Sequence, residues 1–190
     1  AQALERGRPL RVLNVGCGPA GELQRLLATQ TQLVHVDVTL MDFSDETLLY
    51  TSQRLQEIAR ENNRPPLRVQ LRHESVHQLL KRSSRDQGVP VEDQFDYIYC
   101  AGLFDYLADK ACARLIAYFD RHLRPGGTVL VTNVHECNPE RFWMEHFMEW
   151  YLIYRNEAGM VSLFPPDLGE VKTYTDATGV NLFAEAIKPG

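Results

Sequence analysis

Residues 11–21, RVLNVGCGPAG, constrain this chain more than any other stretch. Val12, Leu13 and Val15 form a short apolar run with β-branched residues, which reads as a buried strand. Gly16, Gly18 and Gly21 follow at once, and residues 22–27 read as a helix with Leu23, Leu26 and Leu27 on one face. Strand, glycine turn and helix together present a helix N-terminus to a nucleotide-like ligand. Side chains at the turn would block close approach of the backbone to that ligand. The spacing GxGxxG equally suits NAD or FAD, so the rest of the chain has to decide which ligand is meant.

A length of 190 residues suits one α/β domain, residues 1–190, with a sizeable core. The chain begins without Met and reads as a portion excised from a longer protein. No run is long and apolar enough to span a bilayer and no signal peptide is visible, so a cytoplasmic protein without an integral membrane segment is expected. A formal charge of -5 disfavours a nucleic-acid partner. Cys17, Cys100, Cys112 and Cys137 are scattered without a CxxC pair, and the six histidines lack ligand spacing. Reduced thiols and no metal site are therefore expected. Oligomeric state stays open.

Along the chain, strand and helix patterns alternate. Residues 33–41 alternate with Val34, Val36, Val38 and Leu40 on one side, and Asp42 closes the strand. A helix follows, with Ser44 as its N-cap, Asp45 and Glu46 in its first turn, and Leu48, Leu49, Leu55 and Ile58 on its apolar face; residues 62–66 stop it. Strands are predicted at 67–71 and 95–100, then a helix over 111–123, and a fifth strand after the RPGG turn at 124–127. Residues 139–155 read as one aromatic-rich helix, 164–167 as a proline loop, and 170–174 and 180–187 as two closing strands. This order predicts a doubly wound, mostly parallel seven-stranded α/β sheet, Rossmann-like, with an antiparallel closing strand. Residues 139–168 read as a helical and loop insertion near the substrate site.

Four segments in order, LNVGCGPAG, LMDFSDETL, FDYIYCAGLFDYL and LRPGGTVLV, resemble the class I S-adenosylmethionine-dependent methyltransferases over nearly the whole chain. In finer detail FDYIYCAGLFDYL, NPERFWMEHFMEWYLIYR and TGVNLFAEAIKP resemble the group named for biosynthesis of the extracellular factor 3-hydroxypalmitic acid methyl ester. Two positions depart from the superfamily pattern. Asn14 stands where an acid is common and brings no charge, and Ala20 stands where a third glycine is common.

The resemblance assigns the cofactor S-adenosylmethionine to Asn14, Gly16, Cys17, Gly18 and Pro19 of the loop. It gives Asp42 the ribose hydroxyls, which a carboxylate can accept in pairs. Asp37, nearer the usual interval after the glycines, is the competitor. Phe43 would lie against the adenine, Glu74, Ser75 and Val76 would read its amino group, and Cys100, Ala101 and Gly102 would border the methionine part.

Tyr106 and His135 are the candidate catalytic residues, Tyr106 at the substrate mouth and His135 as base or orienting group for a hydroxyl or amine acceptor. The pair Tyr106 and Lys110 also forms YxxxK, but without the TGxxxGxG loop of short-chain dehydrogenases. Asn138–Pro139 lacks the rest of an NPPY motif and reads as a helix start. Trp143, Phe147, Trp150, Tyr151 and Tyr154 recur at helical spacing. They read as a core-facing stripe, or as a lid that with Met144 and Met148 takes an acyl chain.

The expected reaction is O-methylation of a small-molecule carboxylate of fatty-acid type, which is ionised at pH 7 and needs no general base. Another hydroxyl or amine acceptor, a catalytically silent cofactor-binding domain and a nicotinamide-dependent oxidoreductase are the rival readings. The last lacks a convincing acid for hydride transfer.

Overall fold

The computed structural model describes residues 7–29, 35–83, 89–90 and 93–190. The expected start of the second strand, at residues 33 and 34, lies outside the described residues.

Seven strands form one sheet: β1 Leu10–Val15, β2 Val36–Asp42, β3 Arg68–His73, β4 Phe95–Cys100, β5 Leu123–Val134, β6 Val171–Thr175 and β7 Asn181–Ile187. Their spatial order is β3-β2-β1-β4-β5-β7-β6. The first five pair in parallel, and β7 runs antiparallel to both β5 and β6. The doubly wound sheet with an antiparallel closing strand is therefore present as expected. The helices are α1 Gly21–Thr29, α2 Asp45–Glu61, α3 Val76–Ser83, α4 Asp109–His122, α5 Arg141–Phe147 and α6 Glu157–Val161, with a 3₁₀ turn at Phe104–Tyr106.

Strand alternation divides the core into two layers. On one face Val12, Val38, Leu40 and Tyr99 pack with Leu23 and Leu27 of α1 and Leu48, Leu55 and Ile58 of α2. On the other, Leu13, Val15, Ile98, Cys100, Val129 and Val131 pack with Leu79 of α3, Leu115, Ile116 and Phe119 of α4, and Met160 of α6. The first face is less fully covered. An apolar groove of about 490 Å³ crosses it, lined among others by Leu10, Val12, Tyr97, Leu130 and Phe183, with Glu22 and Tyr99 toward the carboxyl ends of the strands.

The structure moves several expected boundaries. β3 runs to His73, two residues past the predicted end. β5 begins at Leu123, ahead of the RPGG turn; Leu123 pairs with Phe95, and the register then shifts between Phe95 and Tyr97. Gly126 takes φ +73° within that irregularity.

The larger correction is the helix expected over 139–155, which is only α5, residues Arg141–Phe147. Glu149 turns left-handed at φ +50°, the Trp150 N–H still donates back to the Met144 carbonyl at 2.9 Å, and later N–H groups bond to other segments. The Ile153 N–H donates to the Asp105 carbonyl at 2.8 Å and the Arg155 N–H to the Val134 carbonyl at 3.3 Å. Sequence reading also missed α6, whose N-cap Asn156 accepts from the Gly159 N–H at 2.8 Å. Met160, Leu163, Phe164 and Leu168 are buried, so the later part of segment 139–168 is core. No described helix is long and apolar enough to cross a membrane.

Candidate active site

Strand order reverses at β1, which pairs with β2 on one side and β4 on the other. In an open parallel sheet the crevice for a ligand lies there, outside the carboxyl ends of the strands. The glycine loop leaves β1 at that point. Gly16, Gly18 and Ala20 all have positive φ, +65°, +49° and +48°. A Cβ on Gly16 would come within 3.1 Å of Leu103, whereas one on Gly18 would meet nothing within 4 Å. Gly18 thus leaves open space above the loop, and Ala20 keeps the backbone bend of a glycine while burying its methyl group in the core.

The end of β2 fastens this loop. The Met41 carbonyl accepts from the Gly16 N–H at 2.8 Å and the Cys17 N–H at 3.0 Å. Asp42 is buried; its Oδ2 accepts from the Gly18 N–H at 3.0 Å and its Oδ1 from the Ser44 N–H at 3.0 Å. Each carboxylate oxygen keeps further acceptor capacity. Phe43, next in the chain, is 74% exposed. Asp37 lies at the opposite end of β2, 3.8 Å from the Arg68 guanidinium.

On the β4 side, Asn14 is buried and its amide donates to Glu22 Oε1 at 3.1 Å and to the Tyr99 hydroxyl at 2.9 Å. The Tyr99 hydroxyl in turn donates to the same Glu22 oxygen at 2.7 Å. Sequence reading assigned Asn14 to this site but not Glu22. Its signal was an acid in the first turn of the helix that follows a glycine loop lacking its usual acid. Burial pushes the Cys17 thiol up to about 12, with the charges of Asp42 and Glu22 adding to the effect. Pro19 contributes its carbonyl, which accepts from Gln24 Nε2 at 2.7 Å. Cys100 is fully buried beneath the crevice, while Ala101 and Gly102 are exposed above it, and the Gly102 N–H donates to Thr132 Oγ1 at 3.0 Å.

Glu74, Ser75 and Val76 lie where β3 passes into α3, and the Glu74 N–H donates to the Asp42 carbonyl at 3.0 Å. The Glu74 carboxylate is held by Arg72 Nε at 2.7 Å and Arg82 Nε at 3.2 Å, and Ser75 Oγ caps α3. Both side chains are thereby committed to their own segment.

Beyond β4 the turn at Phe104–Tyr106 is stapled to β5. Buried Asp105 accepts from the Val134 N–H at 2.5 Å, while burial raises its carboxyl above the usual range. Arg155, also buried, donates to Asn133 Oδ1 at 2.6 Å, the Phe104 carbonyl at 2.9 Å, the Leu107 carbonyl at 2.7 Å and Asp109 Oδ1 at 2.7 Å. Tyr106 stands out at 53% exposure, its hydroxyl accepting from Trp150 Nε1 at 2.9 Å.

His135 has a different setting from Tyr106. Its Nδ1 accepts from the Cys137 N–H at 3.0 Å and its Nε2 faces Glu157 at 3.4 Å. The first contact lies within its own loop and the second reaches the start of α6.

The aromatic stripe does not face the core: no residue of α5 is buried. Phe142, Trp143, Phe147, Met148, Trp150 and Tyr151 are all exposed, and the Trp143 and Phe147 rings meet at a tilt of 53° with centroids 4.0 Å apart. Among the described residues no group of three or more His, Cys, Asp or Glu could hold a metal ion.

The sequence profile of the methyltransferase domain family matches residues 13–129, more than half of the chain. No curated protein sequence matches. Among solved structures, a possible exported protein from Bordetella parapertussis superposes with TM-score 0.73 at 18% identity, covering 100% of this chain and 65% of that one. The chain thus spans just under two thirds of that protein. Magnesium protoporphyrin IX methyltransferase from Synechocystis, with bound S-adenosylhomocysteine, gives TM-score 0.64 at 13% identity over 98% of this chain and 78% of its own. The N-methyltransferase NodS from Bradyrhizobium japonicum gives 0.59 at 16% identity over 99% and 90%. At these identities the likeness establishes the fold.

The Arg155 cluster should dominate the stability of the β4–β5 side. Arg155→Met removes the hydrogen bonds to the Asn133 side-chain carbonyl and to the Phe104 and Leu107 carbonyls and should cost about 3 kcal/mol or more. Asp109 is 76% exposed in this pair, so Asp109→Asn should cost less than about 1 kcal/mol. Urea unfolding of the two variants tests the ordering, and equal losses would contradict it.

Proposed function

Since the chain belongs to the methyltransferase domain family, we propose that its crevice binds S-adenosylmethionine and methylates a small-molecule carboxylate of fatty-acid type. The observation that carries the cofactor reading is the buried Asp42 carboxylate beside an open glycine loop. Gly18 leaves room for a ligand against the backbone, Asp42 has acceptor capacity for two ribose hydroxyls, and exposed Phe43 offers a flat apolar surface for adenine. Gly16, Cys17, Gly18 and Pro19 form the cradle. Ala101 and Gly102, small and exposed, border the methionine part over buried Cys100.

When bound, S-adenosylmethionine supplies a methyl group already activated by its sulfonium centre. What remains for the chain is binding, alignment and exclusion of water. An ionised carboxylate acceptor needs no base, in keeping with a His135 whose ring nitrogens are both engaged. Tyr106 holds Trp150 at the mouth and orders the aromatic wall there. The unburied face of α5 and the residues after it, Phe147, Met148 and Trp150, supports an acyl chain as the acceptor's body. The resemblance to the fatty acid methyl ester group points the same way.

Asp42→Ala should weaken cofactor binding by about 2–4 kcal/mol, through loss of two hydrogen bonds to a charged acceptor. Asp37→Ala, at the far end of the strand, should leave binding unchanged. Comparable losses in titration calorimetry would displace Asp42 from this role. For the acceptor, transfer of a labelled methyl group should be measured on carboxylic acids of increasing length. Each added methylene in contact with the wall should favour binding by about 0.8 kcal/mol until the wall ends. Trp150→Ala should raise KM for long chains more than for short ones. Labelling of an amine or phenol, with every carboxylic acid left unlabelled, would refute the acyl reading.

A further inference from the structure

The side chain of Asn14 brings no charge to the end of β1. The structure supplies a carboxylate there from another element. Glu22, in the first turn of α1, is drawn against the sheet by two donors, Asn14 Nδ2 at 3.1 Å and the Tyr99 hydroxyl at 2.7 Å. Both use the same oxygen, Oε1, and among the described residues no hydrogen bond engages Oε2. The carboxylate is exposed and lines the apolar groove at its end nearest the glycine loop, in company with Tyr99, Ala101 and Thr132.

Charge and position agree. Asp42 fastens the loop from the β2 side, and Glu22 is held by Asn14 of β1 and Tyr99 of β4. A ligand reaching from the end of β2 to the end of β4 therefore crosses a crevice with a carboxylate on each flank. The cofactor's adenosine part is neutral and its amino-acid part carries an ammonium group. A ribose at Asp42 leaves the amino-acid part directed toward Glu22.

Resting on the cofactor reading above, we infer that Glu22, held by Asn14 and Tyr99, receives the α-ammonium group of the cofactor. Asn14 acts as a positioning residue: its amide orients the carboxylate that its own side chain lacks. The substitution at position 14 and the Glu22 contact form one unit, with the charge displaced from the strand to the helix.

Titration calorimetry with S-adenosylhomocysteine and with 5′-methylthioadenosine tests this, because the second ligand lacks the amino-acid part. Glu22→Gln keeps the shape and both hydrogen bonds in reach while removing the charge. It should weaken S-adenosylhomocysteine about tenfold, the loss of one charge-assisted hydrogen bond, and leave 5′-methylthioadenosine unchanged. Adding Asn14→Asp to Glu22→Gln returns a carboxylate to the same spot and should restore most of the lost affinity. A Glu22 that served only the helix dipole would lower the melting temperature and leave the ratio of the two affinities untouched, which would overturn the inference. Equal weakening of both ligands would also overturn it. A wild-type protein that bound neither ligand would remove the cofactor reading itself and this assignment with it.

Discussion

The end of β2 holds the loop that leaves β1, and the crevice exists because of that attachment. Two loop N–H groups point at the Met41 carbonyl and a third at the Asp42 carboxylate. The Thr51 hydroxyl of α2 donates to the Gly18 carbonyl at 2.9 Å, so helix and strand grip the loop from the same side. Backbone groups at a left-handed turn have no ladder to join and would otherwise need water or ligand. Here part of that demand is met internally, which fixes the loop's shape. The space over Gly18 stays clear. Asp42 thus ties the start of α2 to the loop, with Ser44 N–H on one oxygen and the loop on the other.

A second anchor stands on the far side of the switch point. Arg155 gathers carbonyls from the turn after β4 and the side chain of Asn133 on β5, and its backbone continues the edge of β5. The irregular chain between α5 and α6 is tied down at its end and left exposed along its length. This accounts for an aromatic surface that the core does not absorb. Trp150 and Tyr106 meet across that surface, joining the tail to the turn after β4. The cofactor crevice and the aromatic wall are therefore built on the same stretch after β4.

Much of this architecture was legible in the sequence because local and tertiary preferences agree there. FDYIYC is strand by composition and strand in the sheet, and Ser44 caps α2 as its position implied. The strand-end position of Asp42 followed from the cap that succeeds it. Where tertiary bonds outbid local pattern, the reading failed. Residues 148–155 have helical spacing of aromatics, yet the Asp105 and Val134 carbonyls capture the Ile153 and Arg155 N–H groups. The aromatic periodicity that suggested a buried stripe marks an exposed one, since periodicity shows which residues share a face and not what covers it. The local turn that engages His135 Nδ1 leaves no mark in composition. Glu22 passed as an ordinary first-turn acid, since its partners lie on two strands that only the fold brings beneath it.

The central claim is that this glycine loop serves an adenosyl sulfonium cofactor and not a dinucleotide, although its spacing alone admits both. Calorimetric titration of the unmodified protein with S-adenosylhomocysteine and, in parallel, with NAD separates the two directly. The account predicts saturable binding of S-adenosylhomocysteine at one site per chain and no heat from NAD. Saturable binding of NAD, with none of S-adenosylhomocysteine, would contradict it.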